Sequence, residues 1–352
     1  HISTVSKPIF ATKYSYLSMF RDLQDYHSFA PVQNKYISRI SSEVFAILQV
    51  FKKFMIKEHA YRGVSPFYEL TGLEALVSKV WAPLKMAMSS LQRRPDIFFS
   101  SHHNLSDSAG CWVIEMGNFI GDFTNTWISI SATGKATYLP YATLYRVEQN
   151  LIVETVEFLD IFAVITQAGH NPFLCNQSGG QMMSPGPKTH DGLIATEIES
   201  SITKKTHALT VDMLTELAQS YTSPPDHIQR FWHTDMNWFG PTGIGASLGF
   251  SGYRRGHTGP FEEYLETTEI HDWELAVAEG NFSAVMWWPC LTMRNKAGFM
   301  GVEPSEALAE MRVVDLYRRD GDKLAENWIF IDILHFLKQQ GVDLIKEIGE
   351  KS

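Results

Sequence analysis

The chain contains an internal repeat of 26 residues that aligns without a gap at a constant offset of 172 positions. Leu144–Gly169 aligns with Leu316–Gly341, and nine of the 26 pairs are identical. Unrelated segments of this length would share about one or two residues, so the similarity marks a repeated structural unit. The period is longer than that of solenoid repeats. It predicts that two complete domains of one fold follow each other in the chain.

A weaker match upstream supports the duplication. Gly72-Leu73 and Pro83-Leu84 correspond to Gly249-Phe250 and Pro260-Phe261 at an offset of 177, which differs from the first offset by one net loop change of five residues. Surface loops tolerate such changes. In each repeat, helical patterns precede segments rich in β-branched and aromatic residues. Each repeat is therefore predicted to be α+β, with helices on one face of a mostly antiparallel sheet.

These patterns divide the 352 residues into four predicted segments. The segments are an N-terminal helical extension (1–39), a first domain (40–170), a linker or lid rich in Gly and Pro (171–206) and a second domain (207–352). The first domain is interpreted as structural or degenerate, and the second as the one with the active pocket. We expect the linker to pack over one of the domains, with His190-Asp191 as a lid candidate.

The composition of the chain limits its possible partners, its cellular location and its metal-binding capacity. The net charge of −9 comes without a basic stripe, which argues against nucleic acid as a partner. No run reaches the roughly 18 apolar residues of a membrane helix. Cys111, Cys175 and Cys290 are far apart, which is typical of a reducing compartment, so a cytoplasmic protein is expected. His102-His103 would point to opposite faces of a strand, and no metal site is predicted.

The end of the second repeat carries a recognisable signature: DLYR at 315–318, GDKLAENW at 321–328, then Asp332 and QQG at 339–341. It resembles the C-terminal signature of SnoaL-like polyketide cyclases, which belong to the nuclear transport factor 2-like (NTF2-like) superfamily. The upstream segment HTDMNWFGPTGIGASLGFSGYRRGHTGPFEEYL is similar to that family's turn and helix. The resemblance covers most of residues 207–345 and, more weakly, about 40–170.

The resemblance implies two tandem cone-shaped α+β barrels, each a curved antiparallel sheet wrapped on helices around a pocket. The two cones are expected to pair as a pseudo-dimer within one chain, as single-domain relatives do between chains. Assembly of this pseudo-dimer into a larger homo-oligomer is an additional possibility that the resemblance leaves undecided. The resemblance also implies catalysis without a metal or organic cofactor, by an aspartate that enolises a carbonyl substrate. The superfamily also contains pure binding modules, so function has to be argued from the pocket residues.

Two aspartates are the leading candidates for this chemistry. Enolisation needs a carboxylate or His whose pKa lies near the working pH, and a donor for the developing oxyanion. Asp332 lies in an aromatic stretch and Asp315 in an apolar run, so burial would raise the pKa of both. Thr143 replaces Asp315 in the first repeat, whereas Asp160 matches Asp332. Asp332 therefore has an alternative role, because an Asp can cap the closing helix of each repeat.

Further side chains complete the predicted site. His257 is predicted as a third acid/base group, since its pKa can lie near neutral pH. Arg254 and His257 can share one face of a helix, where Arg could bind a carboxylate or an enolate oxygen. The predicted substrate-binding residues are Trp238, Arg254, Tyr253, Trp328, His233 and Asn327. A surface or hydrogen-bonded structural role is the alternative for the polar members.

The sequence thus predicts a cofactor-independent acid/base enzyme, namely a cyclase, isomerase, dehydratase or hydrolase. Its substrate would be a small carbonyl or ester compound in an apolar pocket. The alternative is a non-catalytic small-molecule-binding protein with tandem NTF2-like domains. An enzyme should hold Asp315 or Asp332 in a closed apolar cavity. A binding protein could place both at helix ends or in solvent.

Overall fold

The computed structural model describes residues 45–102, 111–170, 183–194, 196, 198–219 and 226–351. The predicted N-terminal extension, 1–39, lies outside these residues, as do Cys175 and His103. Among the described residues, no helix combines the length and the hydropathy needed to cross a membrane.

The described part of the first half consists of a helical segment at 45–51, one sheet and the helices that connect or follow its strands. Its strands are β1 (Met55–Gly63), β2 (Glu69–Thr71), β3 (Met88–His102), β4 (Cys111–Phe123), β5 (Ala136–Glu148) and β6 (Leu151–Leu159). Helix α1 joins Leu73–Leu76, a π-helical turn Val77–Trp81 and Ala82–Ala87, and α2 is Ile161–Gln167.

The second half repeats this order. It begins with α3 (Ser200–Leu217), which overlaps the end of the predicted linker. Its strands are β7 (Trp232–Phe239), β8 (Ala246–Leu248), β9 (Leu265–Ile270), β10 (Leu275–Glu279), β11 (Phe282–Asn295), β12 (Leu308–Asp320) and β13 (Lys323–Ile331). Helix α4 joins Gly249–Tyr253, a π-helical turn Arg254–Thr258 and Gly259–Tyr264, and it is followed by α5 (Ile333–Gln339) and α6 (Leu344–Lys351).

The predicted duplication is confirmed element by element. Strands β5 and β6 and helix α2 start and end 172 positions before β12, β13 and α5. The π-helical turns, which are uncommon in proteins, lie 177 positions apart. Both offsets read from the sequence are therefore the offsets of the two sets of elements.

The sheets differ from the predicted antiparallel barrels in two respects. Their strand orders are β2-β1-β6-β5-β4-β3 and β10-β11-β12-β13-β7-β8, with β9 on β11, so both sheets are open. Both are also mixed, because β1 pairs with β6 and β7 with β13 in parallel. The reason is topological: the first strand of each half lies beside its last strand, and the rest of the half is the crossover that parallel pairing requires.

Alternation along the strands gives each sheet an inner and an outer face. In β12, Val313, Asp315 and Tyr317 share the inner face, which lies under the helices of its own half. The outer faces carry apolar side chains that pack against the other half. Phe158 of β6, for example, meets Trp288 of β11 edge to face at 5.6 Å. The two halves therefore share a sheet-on-sheet interface within one chain, as the predicted pseudo-dimer requires.

One contact is made twice across this interface with the roles of the halves exchanged. Asp160 accepts hydrogen bonds from the backbone N and Oγ1 of Thr242, both at 2.8 Å. Asp332 accepts one from the backbone N of Ser65 at 3.0 Å. Each Asp also caps the helix that it precedes, by accepting from the N–H three residues later. The two halves are thus related by an approximate two-fold arrangement.

Residues 183–194, which belong to the predicted linker, contact both halves of the chain, whereas the sequence predicted packing over one domain. The carbonyl oxygen of Ser184 accepts from Asn118 Nδ2 of the first half at 2.9 Å. The next carbonyl, that of Pro185, accepts from Trp328 Nε1 of the second half at 2.7 Å. This segment therefore fastens the two halves to each other.

Candidate active site

A cavity lies inside the second half, between the inner faces of β12 and β13 and the helices α3 and α4. It measures about 60 Å³ as space open to the centres of water molecules, and one water needs roughly 10–15 Å³ on that measure. The cavity therefore admits a molecule of several non-hydrogen atoms. Its wall is largely apolar and includes Met213, Leu217, Phe261, Leu291, Met311 and Ile329.

Asp315 is the carboxylate of this cavity. Its side chain is 8% exposed, and burial raises its pKa to about 7 against the opposing effect of hydrogen bonds from Asn327 and Tyr317. The amide Nδ2 of Asn327 donates to Asp315 Oδ1 at 3.0 Å and to the carbonyl of Leu316 at 3.0 Å. Asn327 thereby fixes one carboxylate oxygen. Near neutral pH, Asp315 can both take up and release a proton.

His257 lies on the helical wall of the cavity, in the π-helical turn of α4. Its ring stacks on Trp238, with ring centroids 4.4 Å apart, and meets Phe261 at 4.5 Å. Burial lowers the pKa of His257 to about 3, so the imidazole is neutral at physiological pH. Its Nδ1 atom is buried and has no hydrogen-bond partner among the described residues. The ring therefore presents an unused polar atom beside an apolar cavity.

We expect His257→Phe to stabilise the protein in acid. The lowered pKa means that protonation of His257 favours the unfolded chain, so its cost to stability grows as pH falls below about 6.5. Phe keeps the stacked ring and removes the group that has to be charged. Chemical denaturation should show a gain of about 2 kcal/mol near pH 4 and little change near pH 8. An equal gain at both pH values would contradict this explanation.

Tyr253 and Tyr317 complete the polar part of the cavity. Burial and the charge of Asp315 raise the pKa of Tyr253, so its phenol stays a proton donor. Tyr317 is not among the residues predicted from the sequence. It follows Asp315 by two positions on a strand, and that spacing places both side chains on one face.

Five of the nine predicted site residues meet at the cavity: Asp315, His257, Trp238, Tyr253 and Asn327. The other four do not line it. Asp332 lies in the interface between the halves, and the buried Trp328 donates to Pro185 of the linker. His233 Nε2 lies 2.9 Å from the carbonyl of Asp320, and Arg254 is half-buried in the π-helical turn of α4.

The lid candidate also lies away from the cavity. Asp191 forms an ion pair with Arg318, with Oδ1 and Nε 3.2 Å apart. Arg318 belongs to the outer face of β12, on the opposite side from Asp315. As to metals, no group of three His, Cys, Asp or Glu side chains within the described ranges could hold an ion.

The interior of the first half carries a different set of polar groups, none of which was predicted from the sequence. Glu115 and Glu157 are 1% and 2% exposed, and Arg93 is also buried. Arg93 pairs with Glu115, and Tyr61 donates to Glu157 Oε2 at 2.9 Å. The missed signal was again alternation, since Glu157 shares the inner face of β6 with Thr155.

Comparisons place these findings beside known proteins. No family model matches the chain, and no curated protein matches it. An NTF2-like protein from Burkholderia xenovorans LB400 is 16% identical, with 39% of this chain and 96% of that protein covered and a TM-score of 0.31. IdmH, a candidate polyketide cyclase from Streptomyces antibioticus, is 18% identical, with coverages of 38% and 98% and a TM-score of 0.30.

A third solved structure, a candidate SnoaL-like polyketide cyclase from Jannaschia sp. CCS1, is 15% identical, with coverages of 40% and 100% and a TM-score of 0.28. Each match spans nearly all of the other protein and about two-fifths of this chain. The proteins carry the family names that the C-terminal signature predicted. What the cavity does has to be argued from its own side chains.

Proposed function

We propose that the second half is an acid/base catalyst of the cyclase, isomerase, dehydratase or hydrolase type, acting on a small, largely apolar carbonyl or ester compound. The observation that carries this proposal is the position of Asp315. A carboxylate whose pKa lies near 7 faces an apolar cavity that has room for a small ligand. A binding site for apolar molecules gains nothing from a buried carboxylate, which costs stability.

Asp315 is the general base in the proposed reaction. With a pKa of about 7 it is partly ionised at neutral pH, and its conjugate acid is strong enough to return the proton. It removes a proton from the carbon next to the substrate carbonyl. The C–H electron pair forms the carbon–carbon double bond of an enolate, and the carbonyl electron pair moves to oxygen. Asn327 holds the base in one orientation during the transfer.

The enolate oxygen requires hydrogen-bond donors. Tyr253 supplies a phenol that stays protonated, and the neutral ring of His257 supplies a second donor when Nδ1 carries the proton. Donors placed in a dry cavity stabilise a developing oxyanion more strongly than water does. Trp238 holds the His257 ring in place from its other side. The apolar wall binds the remainder of the substrate.

The test is exchange of α-hydrogens with deuterium, followed by proton NMR for butanone, cyclopentanone and cyclohexanone in D₂O. We expect the full-length protein to accelerate exchange. The rate should rise with pH through about 7 and then level off, because only the carboxylate form of Asp315 accepts a proton. A rate that falls as pH rises through this range would contradict the role of Asp315.

The alternative function, non-catalytic binding, predicts another outcome for the same samples. Saturable binding of these ketones without exchange above the protein-free rate would favour a binding protein. Exchange that is fully retained when the cavity is blocked by a tight apolar ligand would mean that the reaction takes place elsewhere.

A further inference from the structure

The inner face of the first sheet is equivalent to the face that lines the cavity of the second half. At the offset of 172, Thr143 takes the place of Asp315, Thr155 that of Asn327, and Glu157 that of Ile329. All three positions are therefore polar in the first half, whereas only two of the three are polar in the second half. A purely apolar interior would contain none of these polar side chains.

Among the described residues, the charged side chains on this face are one arginine, Arg93, and two glutamates, Glu115 and Glu157, and the ion pair of the arginine is with Glu115. Glu115 pairs with Arg93 and accepts a hydrogen bond from Tyr141. Glu157 accepts from Tyr61, and burial raises its pKa to about 7 despite that bond and the charge of Arg93. One guanidinium thus faces two carboxylates. Glu115 holds the ion pair, and Glu157 can be neutral near physiological pH.

Two buried hydroxyl groups lie beside these carboxylates without partners of their own. Thr143 is 1% exposed and Thr155 is 4% exposed, and neither Oγ1 atom has a hydrogen-bond partner among the described residues. Thr143 is the direct cross-strand neighbour of both Glu115 and Glu157. Leaving a buried hydroxyl unpaired costs free energy, and such a group in a native structure requires an explanation.

We propose that the first half binds a second small molecule, an uncharged compound with a hydroxyl group beside a carbonyl or a second hydroxyl, between Thr143, Thr155 and Glu157. Threonine hydroxyls both donate and accept, as the hydroxyl and carbonyl groups of such a compound require. The carboxyl group of Glu157 offers a further acceptor or, when protonated, a donor. This ligand is more polar than the one proposed for the cavity of the second half.

The charge balance of the network excludes an ionic ligand. The positive charge of Arg93 is already used by Glu115, so an anion would be buried beside two carboxylates without a free counter-charge. Two neutral hydroxyls, those of Thr143 and Thr155, are left without hydrogen-bond partners among the described residues. A neutral ligand that completes their hydrogen bonds adds no buried charge.

The experiment titrates the full-length protein, methyl-labelled at Leu and Val, with hydroxyacetone. Val113 and Leu159 share the inner face with the threonines, next to Tyr145 and Tyr141, and serve as reporters. We expect saturable shifts of both methyl signals in the millimolar range. Thr143→Val combined with Thr155→Val keeps the side-chain shape and should weaken binding at least about tenfold, because the hydroxyl partners are lost.

Matched controls separate recognition from side effects. Thr137→Val removes another buried hydroxyl of β5, one that already donates to the Lys135 carbonyl, and should leave the affinity unchanged. Asp315→Asn should also leave it unchanged, so this site stands or falls apart from the proposed catalytic cavity. The absence of saturable shifts would overturn the proposal, as would shifts that survive in the double valine variant. Equal affinity for butanone would overturn the proposed ligand class.

Discussion

Replacing Asp315 by Asn is expected to abolish catalysis and to stabilise the protein at the same time. The exchange rate should fall by about 10²–10⁴-fold, the usual contribution of a general base. Asn keeps the size of the side chain and an oxygen that can accept from Asn327, so the cavity should keep its shape. It cannot accept a proton from carbon.

The gain in stability follows from the same pKa. Burial holds the pKa of Asp315 near 7, above its value in an unfolded chain, so the folded state binds the proton more tightly. Its favourable contribution is complete below the unfolded pKa of about 4 and is lost as pH rises through about 7. Near pH 8 the ionised group therefore opposes folding by up to about 4 kcal/mol, and Asn removes this cost.

Urea denaturation near pH 8 and near pH 4 measures this effect. The advantage of Asp315→Asn should be several kcal/mol at the higher pH and less than about 1 kcal/mol at the lower. Asp272→Asn, at an exposed position of the same half, is the control and should be neutral at both. A gain that does not depend on pH, or a fully active variant, would be incompatible with a buried general base at this position.

Asp332→Ala is expected to destabilise the protein strongly, by about 2–5 kcal/mol, through loss of acceptors for two N–H groups and of a helix cap. The carboxylate accepts from Ser65 N in the other half and from His335 N in its own helix. The Ser65 N–H is left without this acceptor in the buried interface, and the His335 N–H loses its side-chain cap. The free energy of unfolding from urea titration measures the loss.

Asp332→Asn serves as the matched variant, because its amide oxygen can still accept a hydrogen bond from each N–H. We expect it to lose less stability than the alanine variant and to exchange ketone hydrogens at the wild-type rate. Loss of exchange to the degree expected for Asp315→Asn would instead support the catalytic role that the sequence suggested for Asp332.

The repeat made the architecture predictable, because a gapless alignment carries the boundaries of strands and helices with it. The parallel strand pairs were not predictable in the same way. The helix-rich pattern before β1 and β7 said nothing about which strand each would join. Pairing of the first strand with the last is decided by long-range contacts, which local sequence patterns do not report.

The candidate site was predictable in part, and the reason is visible in Asp315 and Asp332. Both are acids in apolar surroundings, so burial was predictable for each. Asp332 and its counterpart Asp160 are identical in the two repeats because each accepts a hydrogen bond across the interface between the halves. The identity of the two residues did not by itself indicate this structural role. Asp315, present in only one repeat, could be assigned to a pocket because nothing in the shared architecture requires it.

Glu115 and Arg93 show a second limit. Both belong to strands outside the 26 aligned residues, and each is a charged residue in a strand that could equally have faced solvent. Only the register of β3, β4 and β5 brings them to one buried face. Glu157 lies inside the aligned segment, but its counterpart Ile329 is apolar. The alignment of the repeats therefore gave no reason to predict a functional carboxylate at this position.

The covalent link between the two halves has a consequence for how the protein can change. In a dimer of identical subunits, every substitution appears in both subunits. An acidic residue introduced into one binding cavity is therefore also introduced into the equivalent cavity of the partner. Fusion into one polypeptide removes that constraint. The interior of each half can then change independently, while Asp160 and Asp332 continue to stabilise the interface between the halves.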